Sequence, residues 1–223
     1  MNSKLPVIIV LVLALGFAAC KKNDDVPADD NGLVTDLNVV NATADTLNFY
    51  INGTRINNTS SLYPQGASGY IGVPYGQQNY QFRRIGSPIV LFTKALTLDT
   101  LQSYTLFLAG TTDENTLLTI DTIKSNDKTA RVRFVNTTPD IGALDVTVGD
   151  TVKFKARAFK TATVFLNVNA GTKRVRIYKA GTATLLSDET RILDVGGVYT
   201  LFTKGRTGGS GDAKFGTGLN VNK

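Results

Sequence analysis

Apolar and polar side chains alternate along much of this chain. Leu47, Phe49 and Ile51 are spaced two apart, as are Leu144, Val146 and Val148. Val132 and Phe134 alternate with Arg131 and Arg133, and Val175 and Ile177 with Arg174 and Arg176. A period of two places the two sets on opposite faces of a strand, so these segments predict half-buried β-strands. Turn residues interrupt the pattern every eight to twelve positions: "NG" at 52–53, "YG" at 75–76, "IGSP" at 85–88, "AG" at 180–181 and "GG" at 196–197. No stretch after residue 20 carries a 3.6-residue apolar period. Short strands at that spacing predict an all-β fold of immunoglobulin-like sandwiches, with the apolar positions above in the cores.

The pattern occurs twice. "VNAT" at 40–43 returns as "VNTT" at 135–138, and "YTLFLAG" at 104–110 as "YTLFTKG" at 199–205, both 95 residues on. Gly76, Tyr80, Phe82 and Gly86 match Gly171, Val175, Ile177 and Gly181 at the same offset. "LNFYINGT" at 47–54 matches "LDVTVGDT" at 144–151 at an offset of 97, a slip that a loop absorbs. A period this long is the size of a whole domain. The expected organisation is therefore two tandem sandwiches, residues 33–126 and 127–223, with a last strand within 214–221.

These repeated motifs, with the "DVTVG" strand at 145–149 and "NAGTKRVRI" at 169–177, resemble the bacterial domain of unknown function 4397. The resemblance covers most of residues 33–205 and is clearer in the second copy. It implies tandem β-sandwich units on secreted or lipid-anchored proteins, and it brings no activity and no catalytic residues.

The N-terminus reads differently. Lys4 precedes the apolar run "VIIVLVLALG" at 7–16, and Phe17-Ala18-Ala19-Cys20 follows. A basic start, a short apolar stretch and small residues before a cut mark a secretory signal, here residues 1–19. Ten apolar residues are too few to cross about 30 Å of hydrocarbon comfortably. Ala18-Ala19-Cys20 resembles the bacterial lipobox, which implies that Cys20, the sole cysteine, becomes the acylated first residue of the mature chain. Each buried methylene contributes about 0.8 kcal/mol, so two or three acyl chains hold where one is marginal. The "CKKNDD" that starts at Cys20 resembles the lipoprotein export signal of the Bacteroidota, implying the outer face of the outer membrane, with the periplasmic leaflet as the alternative. Residues 20–32 are polar and acidic, a flexible tether.

Composition then removes whole classes of chemistry. With no His and one Cys, there is no disulfide framework, no thiolate or imidazole metal site, and no Ser–His or Cys–His nucleophile pair. No cofactor is called for. The net charge of +6 is concentrated: residues 127–223 hold 16 basic and 8 acidic side chains. Arg131, Arg133, Lys153, Lys155, Arg157, Lys173, Arg174, Arg176 and Lys179 fall opposite apolar positions and predict one cationic sheet face. Such a face would attract an anionic glycan, a lipid phosphate or an acidic envelope protein; outward charges also simply keep a sheet soluble. Nucleic acid is not an expected partner, because no aromatic residues interleave the basic strands.

The remaining motifs are weaker. "GRTGGSG" at 205–211 lacks the Lys-Ser/Thr ending of a phosphate loop and reads as a hairpin connection. Asp113–Glu114 and Asp188–Glu189 are adjacent carboxylates, whereas a hydrolase needs two acids facing each other across a cleft. Asp-Thr-apolar triplets place Thr46, Thr100, Thr122 and Thr151 in sequences that resemble O-glycosylation acceptors of the Bacteroidota. The expectation is thus a lipid-anchored outer-membrane protein, not an enzyme, with a binding or structural role. A glycan-binding accessory lipoprotein of a polysaccharide uptake system is the alternative, and a hydrolase comes after it.

Overall fold

The computed structural model describes residues 33–222, except the side chain of Val152. The predicted signal segment, Cys20 and the tether lie outside the described residues. The described residues fall within one compact unit. The first repeat contributes β1 (Val34–Asn41), β2 (Leu47–Ile51), β3 (Thr54–Arg55), β4 (Ala67–Pro74), β5 (Gly76–Arg84), β6 (Val90–Leu98), β7 (Ser103–Leu108) and β8 (Thr116–Ile120). The second contributes β9 (Ala130–Val135), β10 (Leu144–Val148), β11 (Val152–Arg157), β12 (Leu166–Val168), β13 (Gly171–Lys179), β14 (Leu185–Leu193), β15 (Val198–Lys204) and β16 (Gly216–Val221).

The strands make four four-stranded sheets: β4-β1-β7-β8 and β3-β2-β5-β6 in the first repeat, β12-β9-β15-β16 and β11-β10-β13-β14 in the second. The two sheets of each repeat face one another across an apolar core. Leu37, Val39, Phe49, Phe82, Leu106 and Leu108 lie in the first core, and Val132, Phe134, Val146, Ile177 and Leu201 in the second. All-β structure in two tandem sandwiches is therefore as predicted. The immunoglobulin-like detail is not part of that agreement. β1 pairs with β7, and β9 with β15, in parallel. Each repeat also has eight strands, against seven in the constant-type immunoglobulin unit.

The repeated Val-Asn-x-Thr motif has a structural cause. Asn41 ends β1 and Asn136 directly follows β9, both fully buried. The Asn41 Oδ1 accepts from the Thr43 N–H at 3.0 Å, and Asn136 Oδ1 from the Thr138 N–H at 3.1 Å. Each closes a turn that mimics a backbone turn. Their amides then donate inward, Asn41 Nδ2 to Asp45 O and Leu62 O, and Asn136 Nδ2 to Gly142 O and Arg157 O. One buried amide thus ties three chain segments together in each repeat. The Tyr-Thr-Leu-Phe motif does similar work at the other end. The Tyr104 hydroxyl accepts from the Asp99 N–H at 3.1 Å, and the Tyr199 hydroxyl from the Asp194 N–H at 2.9 Å.

Among the buried polar groups left without a partner, one lies in the first apolar core. The hydroxyl of Tyr80, fully buried on β5, has no hydrogen-bond partner among the described residues. The equivalent residue of the second repeat is Val175, which has no polar atom to satisfy. An orphaned buried hydroxyl costs about 1–3 kcal/mol. Tyr80→Phe is therefore expected to raise the denaturant midpoint, by about 1 kcal/mol of stability; a loss of stability on urea unfolding would reveal a hidden partner.

Candidate functional site

The outward faces of two sheets are largely covered by one another. Sheet β4-β1-β7-β8 packs on sheet β12-β9-β15-β16, and a third apolar cluster forms between the repeats from Val40, Ala42, Phe107, Val135 and Phe202, with Leu117 against it. Val40 and Val135 are 95 residues apart, as are Phe107 and Phe202, so each repeat offers the same patch to the other. The rings of Phe107 and Phe202 meet at 6.0 Å and 54°. Gly218 makes room for this, because a Cβ there would run into the Phe202 ring; in the first repeat Leu117 takes the equivalent place opposite Phe107.

Beside that apolar contact lies a buried polar network. The Arg133 Nη2 donates to Asp121 Oδ1 at 2.5 Å, with 3% and 0% of the two side chains exposed. Asp121 also accepts from the hydroxyls of Thr105 at 2.5 Å, Tyr70 at 2.6 Å and Thr119 at 3.2 Å. Four donors fill its acceptor sites, the condition under which a buried charge is tolerated. Arg133 Nε donates to Thr200 Oγ1 at 2.8 Å, and its guanidinium lies 4.6 Å from the centre of the Phe165 ring. Thr200 donates to Asn222 Oδ1 at 2.7 Å, while Asn222 Nδ2 donates across the seam to the Tyr70 hydroxyl at 2.9 Å. Asn38 Nδ2 crosses to Asn220 Oδ1 at 3.1 Å. Burial, and then the charge of Asp121, push the Tyr70 hydroxyl far above the ordinary tyrosine range, so it stays protonated as a donor.

The strand registers show that the network also follows the repeat. Thr105 and Thr200 are equivalent, and so are Asp121 and Asn222, and the hydroxyl of each Thr donates to its own repeat's partner. Asn38 corresponds to Arg133 and Tyr70 to Phe165. The seam is therefore a pseudo-twofold contact in which one repeat carries a charge pair where the other carries amides. Sequence reasoning missed Asp121, Tyr70, Asn38 and Asn222, which are scattered over 185 positions. The one available signal was a polar residue inside an apolar strand at matching places, "LNVV" and "VRFV".

The predicted cationic face is not one face. Arg131 and Arg133 lie on β9, in one sheet, and the other seven residues on β11 and β13, in the opposite sheet with β10 between them. Arg133 is buried in the seam, which removes it from any exposed surface; the position that looks outward within its own sandwich is covered by the neighbouring one. Arg131 stacks on Phe165 at 5.4 Å and donates to Lys124 O at 2.6 Å. On the outer sheet, Lys155 pairs with Asp145 at 2.9 Å, and Arg174 with Asp188 at 2.5 Å, with Arg176 behind it at 3.7 Å. The Ala156 N–H, then Lys155, hold the Asp145 carboxyl below its usual range, and Arg174 does the same for Asp188. Lys173 and Lys179 share the parity of the inward Val175 and Ile177 at the ends of β13. Lys153 is exposed, and Arg157 is half-buried at the end of β11.

The acidic pair on β14 is also separated. Asp188 faces Arg174, whereas Glu189 points to the other side of β14 and accepts from the Thr217 N–H and hydroxyl. Burial alone would raise Glu189, but these donors, Ser187 and Arg191 outweigh it and hold the carboxyl low. Asp113 and Glu114 sit in a short helical turn between β7 and β8. Among the suggested glycosylation positions, Thr122 and Thr151 are exposed and Thr46 and Thr100 half-buried.

The seam opens at one pole. The chain leaving β1 and β7 faces the chain leaving β9 and β15 across a groove of about 530 Å³, lined on one side by Thr43, Asp45 and Thr111 and on the other by Pro139, Asp140 and Arg206. Lys160 Nζ bridges the repeats near this pole by donating to Glu114 O at 2.5 Å. β1 begins at Val34, so the chain enters at the opposite pole, about 25 Å of strand away. Smaller depressions of about 410 Å³ beside Arg131 and Phe165, and about 360 Å³ beside Lys173 and Arg174, lie elsewhere on the second repeat.

Fold and seam together define an all-β protein of two tandem sandwiches locked through a pseudo-symmetric, partly charged contact. Residues 35–147 and 130–218 match the family described as Domain of unknown function (DUF4397), and the chain belongs to that family. No curated protein matches it. Among solved structures, a leucine-rich repeat protein from Bacteroides thetaiotaomicron VPI-5482 matches at 14% identity over 78% of this chain and 26% of that one. Its TM-score of 0.20 carries no argument about fold or ligand.

The charge pair gives a direct test of the seam. Arg133→Met strands Asp121 in a buried site and is expected to cost about 3–5 kcal/mol. Adding Asp121→Asn, the residue type found at the equivalent position 222, should recover most of that loss. Urea unfolding of wild type, single and double variants measures both; additive losses would contradict the pairing.

Proposed function

We propose that this is a lipid-anchored protein of the bacterial cell envelope, non-catalytic, which holds a rigid two-sandwich body away from the outer-membrane surface for binding or structural purposes. The observation that carries the reading is directional. In sequence, a leader of residues 1–19, then Cys20 and an acidic stretch precede β1, whose start lies at the pole opposite the inter-repeat groove. An anchor at Cys20 would therefore present the groove outward. Among the described residues no helix is long and apolar enough to cross a membrane.

The groove also favours the second reading, a glycan-binding accessory lipoprotein. It brings Asp45 and Asp140 to opposite walls, which a hydrolase would also require. The non-catalytic reading is preferred because Asp45 is paired with Arg84 at 3.0 Å, and Asp140 is exposed and accepts from the Thr207 N–H at 3.1 Å. Neither carboxyl is enclosed: Asp45 is half-buried and Asp140 exposed.

Cys20→Ser is expected to leave the protein unprocessed by acylation and to move it out of the membrane fraction. Mass spectrometry of the native N-terminal peptide should find a diacylated or triacylated cysteine, and protease shaving of intact cells should remove the body. An unmodified thiol contradicts the anchor; an intact body after shaving assigns the periplasmic leaflet instead.

A further inference from the structure

We infer that the groove at the distal end of the seam is a binding site for a neutral, polyhydroxylated ligand, a short oligosaccharide. This deepens the binding part of the proposed function and rests on it, but not on the anchor. The groove is the largest of the depressions described, at about 530 Å³ against about 410, 360 and 260 Å³. That is within the range of ligand sites, which favour the junctions between domains.

Its shape is built by the repeat. Gly110 and Gly205, 95 residues apart, both line it. A Cβ at Gly110 would meet the Asn115 side chain, and one at Gly205, where φ is +72°, would run into the backbone of Lys214. These two glycines therefore let the walls draw in below the level that any side chain would allow. The turns that form the other two walls are pinned by the buried amides of Asn41 and Asn136. The groove thus needs no rearrangement to exist, which spares a ligand the entropy of ordering it.

The lining selects the ligand. Ala44, Ala213 and the ring of Pro139 supply apolar surface, with the nearly buried Ala42 and Ala109 behind them. Arg84 neutralises Asp45, which leaves one carboxylate, Asp140, and one guanidinium, Arg206, so the groove is balanced in charge. Sugar hydroxyls both donate and accept: they would donate to Asp140 and to the Asn115 carbonyl, and accept from Arg206 and Thr111. Their C–H faces would rest on Ala44, Ala213 and Pro139. A polyanion would gain only Arg206 and meet Asp140, so this site differs in kind from the lysines and arginines of β11 and β13.

The test uses the full-length protein in detergent, applied to an array of neutral gluco-, manno- and xylo-oligosaccharides beside uronic-acid and sulfated ones, with calorimetric titration of the strongest hit. The expected result is binding to one or more neutral oligosaccharides. Asp140→Ala and Arg206→Ala should each weaken it about tenfold or more, and Thr111→Trp, which fills the groove from an exposed position, should abolish it. Asn79→Ala, on the far side of the first repeat, should leave it unchanged. Three results would overturn the proposal: no neutral oligosaccharide bound by protein with a normal thermal transition, binding indifferent to all three groove variants, or a preference for the acidic oligosaccharides. Cys20→Ser protein should titrate like wild type, so the anchor and this site fail independently.

Discussion

The arrangement of the whole molecule depends on one buried contact, Arg133 with Asp121, and the polar groups that complete it. Sandwich cores form within each repeat from local apolar alternation and would do so at any relative orientation. The apolar part of the seam, two valines and two phenylalanines with Ala42 and Leu117, favours contact but is poorly directional. The charge pair is different. It is stable only where Tyr70, Thr105 and Thr119 all reach the same carboxylate and Thr200 reaches the guanidinium. A slip of one strand register would leave both ions desolvated and unpaired, at a cost of several kcal/mol. The polar network therefore fixes the angle at which the apolar patches meet, and with it the groove at the far pole.

Much of the fold was legible because β-structure writes its period directly into sequence. Leu47, Phe49 and Ile51 are inward residues of β2, and Val175 and Ile177 of β13, as their spacing predicts. The duplication was legible because the motifs that recur, Val-Asn-x-Thr and Tyr-Thr-Leu-Phe, hold turns whose hydrogen bonds tolerate few substitutes. What alternation does not contain is whether the outward face of a strand meets water or another sheet. Arg133 and Asn38 have the parity of surface residues and are buried for that reason. The supposed cationic face failed on the same ground from another side. Parity assigns residues to a face of one strand, and nothing local says that β9 and β13 belong to opposite sheets.

The candidate site was illegible for a further reason. Its walls are loop segments from positions 42–45, 110–115, 139–140 and 205–206, brought together only by the seam. The motifs that touch it, Val-Asn-x-Thr at 40–43 and the glycines that end the Tyr-Thr-Leu-Phe segments, read as turns and not as a site. The duplication explains why such a site exists at all. When two equivalent patches pack about a pseudo-twofold axis, the loops at one end of both sandwiches converge on that axis, and the chain entry is left at the other end. The chain entry at Val34 and the groove opposite it are then consequences of one geometry.

The central claim is that the two repeats are a single cooperative body and not two modules on a string. Differential scanning calorimetry of the intact chain tests it most directly. At about 0.7 kcal/mol per residue near 60 °C, a body of roughly 190 residues should unfold with an enthalpy of about 130 kcal/mol. The account predicts one transition in which the van't Hoff enthalpy equals that calorimetric value. Two transitions, or a van't Hoff enthalpy near half the calorimetric one, would mean that each sandwich melts alone and that the seam does not organise the molecule.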